Sequence, residues 1–139
     1  MVKLSIIEDN TGYRNTLYKI LMRNKKIQIL HSMDSCAEMI PYFEVDTPDV
    51  VIMDIDLPGI SGIEGVWLIK QRWPAIKVLM LTVFEEPEKI FGAIKAGANA
   101  TLILLKEYLN ITFEPIDNWE ENLTMTRAFR EFYYHADHH

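Results

Sequence analysis

Carboxylates stand where several apolar runs of this chain end. Glu8 and Asp9 follow LSII at residues 4–7, Asp54 closes VVIMD at residues 50–54, and Asp56 comes two positions later. Thr82 follows KVLML, and Lys106 follows TLILL. Residues 50–54 read as a strand fit for burial on both faces, a rigid post that fixes the carboxylate at its end. Crowded carboxylates repel one another and stay ionised only if positive charge joins them, and a hard divalent cation such as Mg²⁺ takes that place through oxygen ligands. Asp54 can then serve as a nucleophile toward a phosphoryl group, giving an aspartyl phosphate. The metal and the Lys106 ammonium would neutralise the transferring oxygens, and the Thr82 hydroxyl would hydrogen-bond one of them.

Being far apart in sequence, these groups meet only if parallel strands bring them to one edge. Strand and helix patterns do alternate over roughly the first hundred residues. After residues 4–7, Tyr13, Leu17, Ile20 and Leu21 recur at helical spacing behind Asn10, Thr11 and Gly12. A second strand is read over residues 26–31. Ser35 with Glu38 forms a capping-box signature for a helix through Ala37 and Ile40. Gly59, Ser61 and Gly62 make a loop before a helix carrying Val66 and Ile69, which Pro74 ends. Lys77 to Leu81 is a fourth strand, Pro87 opens a helix that Gly97 closes, and residues 101–105 form a fifth strand. Short connections between alternating elements imply right-handed crossovers and a parallel sheet covered by helices on both faces. Ligands bind at the carboxyl edge of such a sheet, where Glu8, Asp9, Asp54, Thr82 and Lys106 all fall. Met22, Met33, Met39, Met53 and Met80 fit apolar patterns as core filler, and Trp67 and Trp73 read as covering the sheet or a helix contact. The stretch 107–139 is aromatic and acidic, with a last helix expected over residues 119–134.

The bulk numbers bound the function. A chain of 139 residues with 49% hydrophobic and 24% charged residues is most simply one globular domain. A net charge of −6 argues against this segment binding nucleic acid by bulk electrostatics. Cys36 is the sole cysteine, which suits a reducing, cytoplasmic compartment. The N-terminus lacks the apolar stretch of a secretory signal, and no run approaches the roughly 20 apolar residues of a membrane span.

The stretches IIEDN, VVIMDIDLPGISGIEG, KVLMLTVFEEPEKIFGAIKAGAN and LLK resemble, in that order, the receiver domain of bacterial two-component response regulators, closest to the subfamily with LuxR- or NarL-type outputs. The resemblance spans about residues 2–106, taken as the domain core, with 107–139 as an atypical C-terminal segment. It implies an α/β flavodoxin-like (CheY-like) fold, a doubly wound five-stranded parallel sheet of order 2-1-3-4-5. It implies Asp54 as phosphoacceptor, Glu8 and Asp9 as the acidic pair that holds Mg²⁺ with Asp54, and the backbone carbonyl of Asp56 as a further ligand. Thr82 becomes the switch hydroxyl, and Lys106 the phosphoryl contact. The implied partner is a sensor histidine kinase, and the implied output is transcriptional control through partner or dimer interactions, without enzymatic turnover beyond the domain's own phosphorylation and dephosphorylation.

Three departures stand out. Lys106 lies about two residues further from Thr82 than the family's pattern has it, which in a strand keeps its face but moves it roughly 6–7 Å along. A bulge near Ala100 could absorb the excess, Lys106 could reach back, or the site could be impaired. The aromatic expected three residues before the lysine is Ile103 here, or Thr101 if the count runs from Gly97. Beyond Lys106 the resemblance fades, and a displaced or exchanged C-terminal segment, hence a homodimer, is one way to accommodate it. The first two departures also leave open a degenerate receiver that acts as an interaction module without phosphorylation. A phosphatase reading of the pair Asp54 and Asp56 fails on position, because the pair follows the third strand and not the first, and Leu57 and Pro58 come next. A flavin phosphate loop at DNTGYRNT fails on charge, because Glu8 and Asp9 would repel the phosphate.

Overall fold

The computed structural model describes residues 1–83, 87–98, 100–105 and 110–115. Local sequence chemistry sets most of the element boundaries. Strand β1, Val2–Ile7, leads to helix α1, Thr11–Met22, where Asn10 Oδ1 accepts the Tyr13 N–H at 3.0 Å and caps a free donor of the first turn. Strand β2, Ile27–Met33, precedes α2, Met39–Val45. This helix starts later than the capping-box pattern at Ser35 and Glu38 predicts. Ser35 Oγ instead accepts the Ala37 N–H within a turn. The physical reason is Pro41: it has no N–H to donate into a helix, so it fits only the first turn and pulls the start forward to Met39.

Strand β3, Val50–Asp54, is followed by α3, Gly62–Arg72, whose first turn is capped by Ser61 Oγ accepting from Glu64 N. Strand β4, Lys77–Val83, helix α4, Pro87–Ala96, and strands β5, Ala100–Leu105, and β6, Asn110–Pro115, complete the described elements. Gly97 ends α4 with φ +114, a backbone conformation that an L side chain rarely adopts.

The sheet runs β2-β1-β3-β4-β5-β6. The first five strands are parallel, in the order 2-1-3-4-5 that the family resemblance implies. β6 extends this sheet, pairing antiparallel with β5 from Ala100↔Pro115 to Leu105↔Asn110. The helix expected over residues 119–134 lies outside the described residues. Between β4 and β5 the register is unbroken from Leu79↔Ala100 to Val83↔Leu104, so no bulge interrupts the described residues 100–104.

Alternation along the central strands builds two cores. Val50, Ile52, Leu79 and Leu81 face α1, together with Leu4, Ile6, Leu17 and Leu21. Val51, Met53, Val78 and Met80 face the other way and pack with Met39, Phe43, Val66, Ile69 and Ala93 from α2, α3 and α4. β3 is therefore apolar on both sides, and burying each large side chain contributes about 1.5–3 kcal/mol. Met39, Met53 and Met80 are core residues, but Met22 is 58% exposed and Trp67 52% exposed. Both sit on helix faces turned from the sheet. Trp73 packs edge-on against Phe43, with ring centroids 5.8 Å apart.

Candidate functional site

Parallel register is what turns three distant carboxylates into neighbours. β1 and β3 pair from Leu4↔Val50 to Ile7↔Met53, so Glu8 leaves β1 level with Asp54, the last residue of β3. Glu8, Asp9 and Asp54 each offer a carboxylate oxygen, and these oxygens lie within 4.8 Å of one another. Glu8 is tied down on both sides of its peptide. Its N–H donates to Met33 O, and its carbonyl accepts from Arg14 Nη1 at 2.7 Å.

The β3 exit is held just as closely. Asp54 pairs with Leu81, Ile55 N–H donates to Leu81 O, and Gly62 N–H returns to Ile55 O at 3.0 Å. The start of α3 presses so near that a Cβ on Gly62 would stand 1.9 Å from the Asp54 carbonyl oxygen. Asp56 N–H donates to Asp54 Oδ1 at 3.0 Å and orients that carboxylate. The Asp56 side chain turns outward to Lys89 of α4, with Nζ 2.5 Å from Oδ1.

Burial decides the electrostatics. Glu8 is 3% exposed, and its Oε2 has no hydrogen-bond partner among the described residues. Desolvation, a hydrogen bond shared with Asp54, and the charges of Asp54 and Asp9 push the Glu8 carboxyl up from the ordinary 4.5 to about 9. Asp54 is also raised, chiefly by burial, although hydrogen bonds from Glu8 and the Asp56 backbone offset part of the rise. A buried, unpartnered oxygen among three acids is a donor set for a hard cation with oxygen ligands, and Mg²⁺ fits it. Three carboxylates leave the remaining octahedral positions for water, backbone carbonyl or phosphate oxygens.

Thr82 lies in β4 beside Leu81, the strand partner of Asp54, and itself pairs with Ile103. Lys106 lies outside the described residues. Arg14 and Lys89 were not singled out by the sequence. Neither belongs to an acidic motif, and the only available signal was Lys89's place in the first turn of α4, where a cation opposes the helix dipole. A cleft of about 550 Å³ lined by Arg14, His31, Asp34, Glu38 and Tyr42 borders the cluster, but none of the three acids lines it. The acids sit on the sheet rim and not in this cleft.

Comparison with known proteins gives the same picture. Residues 4–108 match the family model of the response regulator receiver domain. Transcriptional regulatory protein LnrK of Bacillus subtilis is 32% identical over 103 residues, which are 74% of this chain and 47% of LnrK. Response regulator GacA of Pseudomonas syringae is 32% identical over 98 residues, 70% of this chain and 46% of GacA. The chain thus spans about half the length of the curated relatives it matches. A crystal structure of a DNA-binding response regulator of the LuxR family from Staphylococcus aureus superposes with TM-score 0.71 at 25% identity, covering 93% of this chain and 99% of that one. No helix among the described residues is long and apolar enough to cross a membrane. With its acids gathered at the carboxyl edge of a 2-1-3-4-5 sheet and its length matched from residue 4 to residue 108, the chain belongs to the response regulator receiver domain family.

Proposed function

We propose that this domain accepts a phosphoryl group on Asp54 from the phosphohistidine of a sensor histidine kinase in the cytoplasm. The modification then alters its affinity for a partner or for a second copy of itself, in the control of transcription. One observation carries the reading: Glu8, Asp9 and Asp54 gather within 4.8 Å at the sheet's carboxyl edge, with Asp54 oriented by the Asp56 N–H.

In the reaction an Asp54 carboxylate oxygen attacks phosphorus. The new O–P bond forms as the donor's P–N bond breaks and the imidazole keeps the electron pair. With acetyl phosphate a P–O bond breaks instead, and acetate leaves. Glu8, Asp9, Asp54 and the backbone carbonyl of Asp56 would hold Mg²⁺. Bound there, it supplies positive charge against the carboxylates and the phosphoryl oxygens. The Thr82 hydroxyl donates to one phosphoryl oxygen, and Lys106 places its ammonium at another. Residues 1–106 constitute the switch. Residues 107–139 form an atypical C-terminal segment, of which residues 110–115 join the sheet as β6, and exchange of such a segment between copies would give a dimer. A net charge of −6 speaks against nucleic-acid binding by these 139 residues themselves.

Intact-mass measurement after treatment with acetyl phosphate and Mg²⁺ tests the proposal. One added phosphoryl group is expected, absent in Asp54→Asn and absent with EDTA. A folded wild-type protein that takes up no label would mean an interaction module without phosphorylation.

A further inference from the structure

Asp56 joins two parts of the molecule that no strand or helix connects directly. Its N–H donates to Asp54 Oδ1 at 3.0 Å, and its carboxylate accepts from Lys89 Nζ at 2.5 Å. Lys89 is the third residue of α4 and lies 33 positions away in sequence. Its charge is badly placed for the helix, because the first turn presents the positive end of the dipole. Nor does the pair add much stability, since its side chains are 43% and 48% exposed and such surface ion pairs are worth little. What the contact does is restrain the loop after β3, and with it the one described N–H that orients Asp54.

We propose that Lys89 is a positioning residue for Asp54, acting through Asp56: the ion pair fixes the loop, the loop aims its N–H, and the N–H sets the plane of the nucleophilic carboxylate. The inference rests on Asp54 being the phosphoacceptor. It has a second consequence. A phosphoryl group on Asp54 changes what Asp56 N–H can bind, and the strain passes along the ion pair to the start of α4. The state of Asp54 is thereby read at α4 without an aromatic at position 103.

The test is a double-mutant cycle on the rate of Asp54 labelling by acetyl phosphate and Mg²⁺, with Lys89→Met, Asp56→Asn, the double variant and Lys89→Arg. Each of the two single variants should label about threefold to fivefold more slowly, in keeping with an exposed ion pair. The double variant should be no slower than either single, and Lys89→Arg should stay within about twofold of wild type. Hydrogen exchange at the Asp56 amide, measured without any phosphoryl donor, should accelerate in Lys89→Met while the melting temperature stays put. An unchanged labelling rate, effects that multiply in the double variant, or an unchanged Asp56 amide would each overturn the inference and leave the phosphoacceptor reading standing. A wild-type protein that is never labelled would overturn both.

Discussion

Replacing Glu8 with Gln should stabilise the metal-free protein, and the gain should grow with pH. Glu8 is buried, and its carboxyl is raised from 4.5 to about 9 by burial first and by its acidic neighbours second. Below about pH 4.5 both folded and unfolded chains carry this proton, and Glu8 costs nothing. Above that value the unfolded chain releases the proton while the folded chain retains it, so stability falls until pH passes about 9. One retained proton corresponds to a slope of ~1.4 kcal/mol per pH unit. Gln keeps the shape and donor capacity of the protonated acid and has nothing to titrate, so it escapes the penalty. From pH 5.5 to 7.5 the gap between variant and wild type should widen by roughly 3 kcal/mol, or about 10 °C in melting temperature for a domain of this size. Asp54 titrates in both proteins and largely cancels in the difference. The assay is a set of thermal melts in EDTA across pH 5 to 8. Adding Mg²⁺ should narrow the gap. The wild type gains ~2.7 kcal/mol at a hundredfold excess over its dissociation constant while releasing close to one proton per ion, and the variant gains far less. Parallel stability curves in EDTA would refute the burial of Glu8 against Asp54.

Two other perturbations follow from the same geometry. Gly62→Ala places a Cβ 1.9 Å from Asp54 O and 2.8 Å from Ile55 Cα, both backbone atoms that cannot swing aside, so it should lower the urea midpoint by an amount equivalent to ~3 kcal/mol or more. A loss under about 0.5 kcal/mol would mean that α3 does not abut the β3 exit as described. His31, whose Nδ1 lies 2.7 Å from the buried Ser5 Oγ and whose ring packs beside Tyr42 and Phe43, has its pKa lowered from 6.5 by burial, with Asp46 acting in the opposite sense. Its contribution is therefore complete above pH 6.5 and declines as pH falls through that value toward the folded pKa, opposite in sign to Glu8. An imidazole resonance with a titration midpoint at or above 6.5 would contradict this packing.

The parts of the molecule that the sequence displayed are those governed by local chemistry or by alternation. Val50 to Asp54 reads as a strand covered on both faces, Asn10 marks a helix start by a side-chain oxygen that accepts a first-turn N–H, and Pro87 marks one by its missing backbone N–H. The acidic trio was legible because parallel strands bring their carboxyl ends to one edge whatever lies between them. Other features depend on competition between signals. Ser35 and Glu38 formed a plausible cap, yet Pro41 dictated the start of α2. Met22 and Trp67 looked like core by composition, but residues next to a buried stripe on a helix are rotated about 100° from it, and both face outward. β6 was not anticipated, because Asn110–Pro115 is short, carries Glu114 and ends in Pro115, and its pairing is specified by β5 and not by its own pattern. Lys89 eluded the sequence for a related reason. An ion pair across 33 residues leaves no periodic trace.

The described contacts also limit where a modification at Asp54 can be felt. A ligand or covalent group shifts an equilibrium only through interactions that differ between two states. β3 cannot supply that difference. Val50 to Met53 are fully buried, and close-packed cores resist continuous deformation. Gly62 leaves no slack at the start of α3, since its backbone already lies against Asp54. What remains is the loop from Ile55 to Ser61, where Asp56 is half-exposed and held by one N–H bond and one ion pair, together with the first turn of α4 at the far end of that pair. These contacts are half-exposed, and they are the described ones that tie Asp54 to α4. A conformational response to phosphorylation should therefore begin there, with β3 unmoved. Amide exchange compared before and after modification should change at Asp56, Glu88 and Lys89, and stay protected along residues 50–54.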